Sequence, residues 1–295
     1  MLNTFCDLID EVREKIKREI SPDSFIEGYP EAVTHYLALT VSKLTSYHCT
    51  LGIWRAPEGK SGRAFGRQAI PMVWDFPECN PFAEAGGEWS GAVNDCAKVL
   101  CTFSVTNNGW VNQHAAQNSD TAVFAQRVIC TDPPYYDNVA YADLSDFFYV
   151  WLRRSLRSIY PELLATISVP KNEELVASAN RHGSVERAEQ FFLNGMTQVF
   201  TGIRNSASET APITIYYAFK QSDSDEAGTT STGWETFLAA VLKSGFTLTG
   251  TWPLRTEQSA ALKTKVNSLA SSIVLVCRKR PADASTISRR EFIRE

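Results

Sequence analysis

Apolar residues recur at the helical period in the first part of the chain and at the strand period in the last part. Asp7 through Ile20 carries charges at helical spacing and meets Ser21-Pro22-Asp23, which predicts a helix with a proline stop. Ala32, Tyr36, Leu39 and Leu44 put an apolar face on a second helix, from Pro30-Glu31 to about Ser46. Leu51 to Asn118 is rich in Gly, Pro and Trp and yields one helix, around Ser90 to Leu100. The pattern then sharpens. Val128-Ile129-Cys130-Thr131 predicts a short buried strand, and Leu144 to Leu156 a helix carrying Phe147, Phe148, Val150 and Trp151. A helix from Ser184 to about Ile203 opens on a serine cap. Ile213 to Phe219 reads as a buried strand, and residues 222–233, rich in Gly, Ser and Thr, as a loop. Trp234 to Lys243 is a helix closed by Gly245 at the C′ position. Two strands close the chain, Phe246 to Trp252 and Ser272 to Cys277, joined by a polar segment with no crossover helix.

From Val128 onward, strand and helix alternate until that final pair. Alternation implies a mainly parallel α/β sheet covered on both faces, and the missing crossover helix makes the last strand antiparallel.

Composition narrows the class of protein. The chain has 295 residues, is 44% hydrophobic and 21% charged, and carries a net charge of −4, which excludes a generally basic nucleic-acid coat but permits a local basic cleft. No apolar run reaches membrane-spanning length and the N-terminus does not read as a signal peptide, so an intracellular, cytoplasmic protein without membrane contact is expected. Seven scattered cysteines without a Cys-x-x-Cys pair, and four histidines in no ligand spacing, predict neither a metal site nor disulfides.

The candidate chemistry sits in Asp132-Pro133-Pro134-Tyr135, directly after the first predicted strand. A proline pair ends the sheet ladder, because proline has no N–H to donate and fixes φ. Asp132, the bare carbonyls and Tyr135 are thus held at the carboxyl end of a strand, the edge where open α/β sheets bind ligands. Such a set suits a planar heterocycle bearing an exocyclic amine. Asp132 and the Pro133 carbonyl accept its two N–H bonds, and Tyr135 stacks on the ring.

Asp-Pro-Pro-Tyr after an apolar strand is the signature of the amino-methyltransferases, which methylate the exocyclic nitrogen of adenine or cytosine in DNA. The flanking residues, Thr131 through Val139 and Tyr141 through Leu152, resemble a family of large putative adenine-specific DNA methylases. Pro71 through Phe76 with Asn80-Pro81-Phe82, and Leu269 through Arg278, are similar to the same family, so the resemblance runs from about residue 25 to the end. It implies a Rossmann-like class I methyltransferase sheet, S-adenosylmethionine as cofactor, DNA as partner and a setting in restriction–modification or phage defence. It also implies that Asp132, Pro133, Pro134 and Tyr135 are catalytic. Tyr136, Asn138 and Trp252 are candidates for the base pocket, and Asp120 for contact with the cofactor's adenine. Asp120 as a loop cap remains an equal alternative.

Family members carry a glycine-rich Asp-Pro-Phe-x-Gly-x-Gly type loop upstream, and no such loop is found here. Gly86-Gly87 follows Asn80-Pro81-Phe82, but no apolar strand precedes it. The chain therefore reads as the C-terminal part of a methylase, incomplete at the cofactor half. An upstream methylase segment or other defence-system subunits are then the expected partners. Residues 1–118 form a helical and irregular N-terminal region packed on the methylase core. Residues 119–282 form the catalytic half, with an insertion at about 158–211, and 283–295 a basic tail.

Asp rather than Ser at position 132 points to adenine N6. An RNA or cytosine-N4 amino-methyltransferase and a non-catalytic DNA-binding subunit stay open. Phe147, Phe148 and Trp151 are expected in the helix core. Arg153, Arg154 and Arg157 fit either the helix C-terminus or phosphate contacts.

Overall fold

The computed structural model describes residues 1–21, 23, 26–66, 69–104, 107, 109–118, 127–137, 139–219, 232–254, 271–285 and 288–292. They fall into two compact units, one of Met1–Val111 with Tyr141–Lys171, the other of Asn112–Ala140 with Asn172–Glu295.

The first unit is built on four helices, α1 (Leu2–Glu19), α2 (Tyr29–Thr45), α3 (Trp89–Thr102) and α4 (Tyr141–Leu156). Helix α1 starts five residues before its charged stretch, because Leu2, Cys6 and Ile9 supply the buried stripe. Cys6 and Ile9 join Ala38 and Val41 of α2 and Leu156 of α4 in one core, with Tyr149, Trp151 and Leu152 packed against it. This packing groups 141–171 with the N-terminal residues. Arg154 Nε and Nη2 grip Asp7 Oδ1 and Oδ2 at 2.8 and 2.9 Å, and Arg153 Nε donates to the Leu164 carbonyl at 3.2 Å. Two of the three guanidiniums that the sequence offered to phosphate are thus engaged within the unit. Lys171 pairs with Asp146 at 2.7 Å and holds its carboxyl below the usual range. A small antiparallel hairpin, β1 (Ile53–Arg55) with β2 (Lys60–Gly62), lies in the Gly- and Trp-rich stretch, where three-residue strands leave too little alternation to read.

The second unit is a mixed α/β layer. Its four strands, β3 (Cys130–Thr131), β4 (Ile213–Phe219), β5 (Phe246–Leu254) and β6 (Ser271–Lys279), stand in the order β3-β4-β6-β5. Among the described residues β3·β4 is the one parallel ladder; β6 pairs antiparallel with both β4 and β5. The sheet is therefore small and mixed, not mainly parallel in its ladders. The cause is one insertion: the last strand enters between two strands of common direction and turns what would be a parallel ladder into two antiparallel ones. Two longer helices belong to this unit, α6 (Val185–Ser206) and α7 (Thr232–Lys243), with a single turn, α5 (Ala179–His182), ahead of them. One sheet face is buried, with Ile213, Ile215, Tyr217, Leu275 and Cys277 sharing a core with Phe192 and Phe200 of α6 and Phe237 of α7. Desolvation there pushes the Cys277 thiol up to about 11. On the opposite face the register aligns Tyr216, Val274 and Trp252 across three strands, and Tyr216 and Trp252 are 37% and 66% exposed. That face is only partly covered.

The β3 strand is shorter than its apolar run. Val128 is 76% exposed and Ile129 is buried, because β3 has a ladder on one side only among the described residues.

Helix α7 ends as the sequence predicts. Gly245 follows it with φ of 83°, its N–H on the Leu242 carbonyl, and its own carbonyl accepting Arg280 N–H at 2.9 Å. A Cβ here would also meet Arg204 Nε at 2.6 Å. Gly245→Ala is expected to cost about 1 kcal/mol, because the left-handed cap tolerates no side chain cheaply. Chemical denaturation measures it, and an unchanged midpoint would remove the cap from the account.

Candidate functional site

The parallel ladder of β3 with β4 brings the Asp132 turn beside the carboxyl half of β4. Thr214 N–H donates to the Ile129 carbonyl at 3.1 Å, and Cys130 and Thr131 lie opposite Thr214 and Ile215. Two prolines follow at once, so the chain leaves the sheet. Asp132 is exposed and Pro133, Pro134 and Tyr135 are half-buried.

Tyr135 and Asp132 meet directly. The Tyr135 hydroxyl donates to Asp132 Oδ1 at 2.6 Å, the short distance expected of a hydroxyl on a carboxylate. Asp132 Oδ2 has no hydrogen-bond partner among the described residues. The Tyr135 ring stands edge-on to Tyr217, centroids 5.4 Å apart at 71°. Tyr217 in turn lies flat on Phe237 at 4.0 Å, deep in the core. A chain of rings therefore runs from α7 through β4 to the exposed carboxylate. Burial raises the Tyr217 phenol well above its ordinary range, and the Asp137 charge adds to this, as do Tyr136 and Tyr135. A ring so placed is a packing surface and a neutral hydrogen-bonding group, not a base.

Tyr136 takes another course. Its φ is 52°, the left-handed region that a bulky residue seldom enters. Its N–H donates to the Pro134 carbonyl at 3.2 Å and its carbonyl accepts Ala177 N–H at 2.9 Å. The ring turns inward, edge-on to Phe192 at 5.2 Å, and burial, with Glu189 and Asp137, pushes its phenol up. The sequence reading placed Tyr136 in the base pocket; its ring packs on Phe192 and Gly233 instead, whereas the Tyr135 ring stands against Tyr217.

Trp252, offered by the sequence as a base-pocket residue, lies on β5, with β6 and β4 between its strand and β3. Three strand spacings amount to roughly 14 Å. It lines no wall beside Asp132. Asp120 and Asn138 lie outside the described residues, as does most of the loop at 222–233. In the insertion, Arg181 pairs with Glu174, and His182 stacks on Phe191 at 4.1 Å. At the end of β6, Arg278 donates to the Thr210 carbonyl and Lys279 pairs with Glu209. A surface depression along α1, lined by Leu8, Glu11, Lys15 and Arg18 among others, contains none of these groups.

Two residues of the site escaped the sequence reading. Tyr217, the ring under Tyr135, looked like any aromatic in a buried strand. Gly233 packs on the Tyr136 ring, and its only sequence signal is a glycine at the start of a helical period.

No helix among the described residues is long and apolar enough to cross a membrane. Comparison with protein-family models, with curated proteins and with solved structures finds no match to this chain.

Proposed function

We propose that this chain is the target-binding and catalytic part of an S-adenosylmethionine-dependent DNA methyltransferase acting on the exocyclic N6 amine of adenine. The observation that carries the reading is the Asp132–Tyr135 pair at the carboxyl end of a strand in a parallel ladder. The sheet is compatible with it, since three of its four strands share one direction and the last runs against them, as the class I methyltransferase resemblance implies.

An aromatic amine is a poor nucleophile because its lone pair is delocalised into the ring. Asp132 accepts one N–H and the Pro133 carbonyl the other, which draws the nitrogen toward tetrahedral geometry and localises the pair on it. The carboxylate also stabilises the positive charge that grows on that nitrogen and takes up the proton afterward. Tyr135, seated on Tyr217, offers a ring to a base removed from the duplex. Removal costs a few kcal/mol, and a base–aromatic stack returns roughly 1–3 kcal/mol. The cofactor, when bound, supplies an electrophilic sulfonium methyl. The described residues fit the methyl acceptor; Asp120, the one cofactor contact that the sequence suggests, is not among them.

Calorimetric titration with S-adenosylhomocysteine tests whether the chain holds a cofactor. One-to-one saturable binding is expected of a self-sufficient enzyme. Its absence would reassign the chain to one half of a site completed by an upstream methylase segment. If that segment also failed to restore binding, the methyltransferase reading would fall.

A further inference from the structure

Gly233 occupies the first turn of α7, where alanine is the better helix former. The reason for glycine is close approach. A Cβ there would lie 2.7 Å from Tyr136 Cγ and 2.8 Å from its Cδ1, distances that real Cβ atoms do not adopt. Those ring atoms cannot simply swing aside. Phe192 meets the ring at 5.2 Å, Ala177 N–H holds the Tyr136 carbonyl at 2.9 Å, and the Pro134 carbonyl holds its N–H. The helix start is itself tied down, because Thr236, buried one turn on, donates to Glu189 of α6 at 2.8 Å.

The left-handed φ of Tyr136 and its N–H bond to the Pro134 carbonyl fix the turn that carries Asp132 and Tyr135. Loss of that turn would release Tyr135 from its seat on Tyr217 and from its bond to Asp132. We propose that Gly233 and Tyr136 are the positioning pair of this site, in which the wedge of the Tyr136 ring against α7 holds Asp132 and Tyr135 in reactive geometry. The catalytic consequence rests on the methyltransferase reading; the positioning itself does not. Strain at such a turn persists only where its surroundings over-determine it, and here four contacts do so.

The test is ¹⁹F NMR of protein carrying fluorotyrosine, with Tyr135 and Tyr136 signals assigned through Tyr135→Phe and Tyr136→Phe. Gly233→Ala should shift both signals while the circular dichroism spectrum stays that of the folded chain. Gly202→Ala adds the same methyl to α6, where a Cβ meets nothing within 4 Å, and should shift neither. In an active preparation Gly233→Ala should lower kcat by about 100-fold, the loss that a misplacement near 1 Å brings, with S-adenosylhomocysteine affinity unchanged. A Tyr135 signal that stays put in Gly233→Ala overturns the positioning role. If Gly233→Ala does not fold, Tyr136→Asn takes its place, since asparagine tolerates the left-handed turn but brings no wedge. An unmoved Tyr135 signal there is equally fatal. A shifted Tyr135 signal in a chain that never transfers a methyl group would sink the methyltransferase reading and leave the positioning pair standing.

Discussion

Asp132→Ala is expected to lower methyl transfer to adenine-containing DNA by roughly 10²–10³-fold, the range seen when one preorganised electrostatic partner is removed from a reacting group. The fold should not notice. Asp132 is exposed, follows the last residue of β3, and contributes no atom to the core of its unit. Surface changes of this kind stay within about 0.5 kcal/mol, so the melting curve is the control. Labelled-methyl incorporation gives the readout, and equal rates for mutant and wild type would end the catalytic assignment. Tyr135 refines the test because its hydroxyl and its ring have separate partners, Asp132 at 2.6 Å and Tyr217 at 5.4 Å. Tyr135→Phe keeps the edge-on ring contact and releases Asp132 Oδ1, whereas Tyr135→Ala loses both. The phenylalanine variant should fall between wild type and alanine, and an equal loss in both would assign the residue's contribution to the hydroxyl.

Phe237→Ala is expected to cost about 3–5 kcal/mol, the range for removing a fully buried aromatic. Phe237 is 0% exposed, lies flat on Tyr217 at 4.0 Å and meets Phe200 edge-on at 5.7 Å. Three elements lose contact at once, α6, α7 and β4, so little collapse can fill the void. Against a typical total stability of about 5–15 kcal/mol, this is a large share. Denaturant unfolding with a reporter in the second unit measures it. A loss below about 1 kcal/mol would mean that the surrounding side chains collapse into the void. Phe237 also supports the ring on which Tyr135 rests, so the same substitution should loosen the Tyr135–Asp132 bond.

Local rules carried much of the reading. The helix at Tyr29–Thr45, the strand at Ile213–Phe219 and the helix closed by Gly245 follow from periodicity and capping, which act within a few residues. The Asp132 turn was legible for the same reason, since a proline pair after an apolar run needs no distant partner to end a strand. Element ends were less so. Helix α4 begins at Tyr141, three residues before the predicted Leu144, and β3 keeps two residues of a four-residue run. Ends depend on what lies alongside, and that is set by other parts of the chain.

The sequence by itself determined which side chains are available at the strand end, Asp132 with Tyr135, and that the closing strand would run antiparallel. Only tertiary structure decided where that strand inserts, that Tyr136 faces the core, that Trp252 stands on the far strand and that Tyr217 and Gly233 back the site. The physical reason is range. Period, caps and proline act over one turn or one ladder step, whereas sheet order and the sign of one φ are settled by contacts between residues far apart in sequence, such as Tyr136 with Phe192 and Gly233.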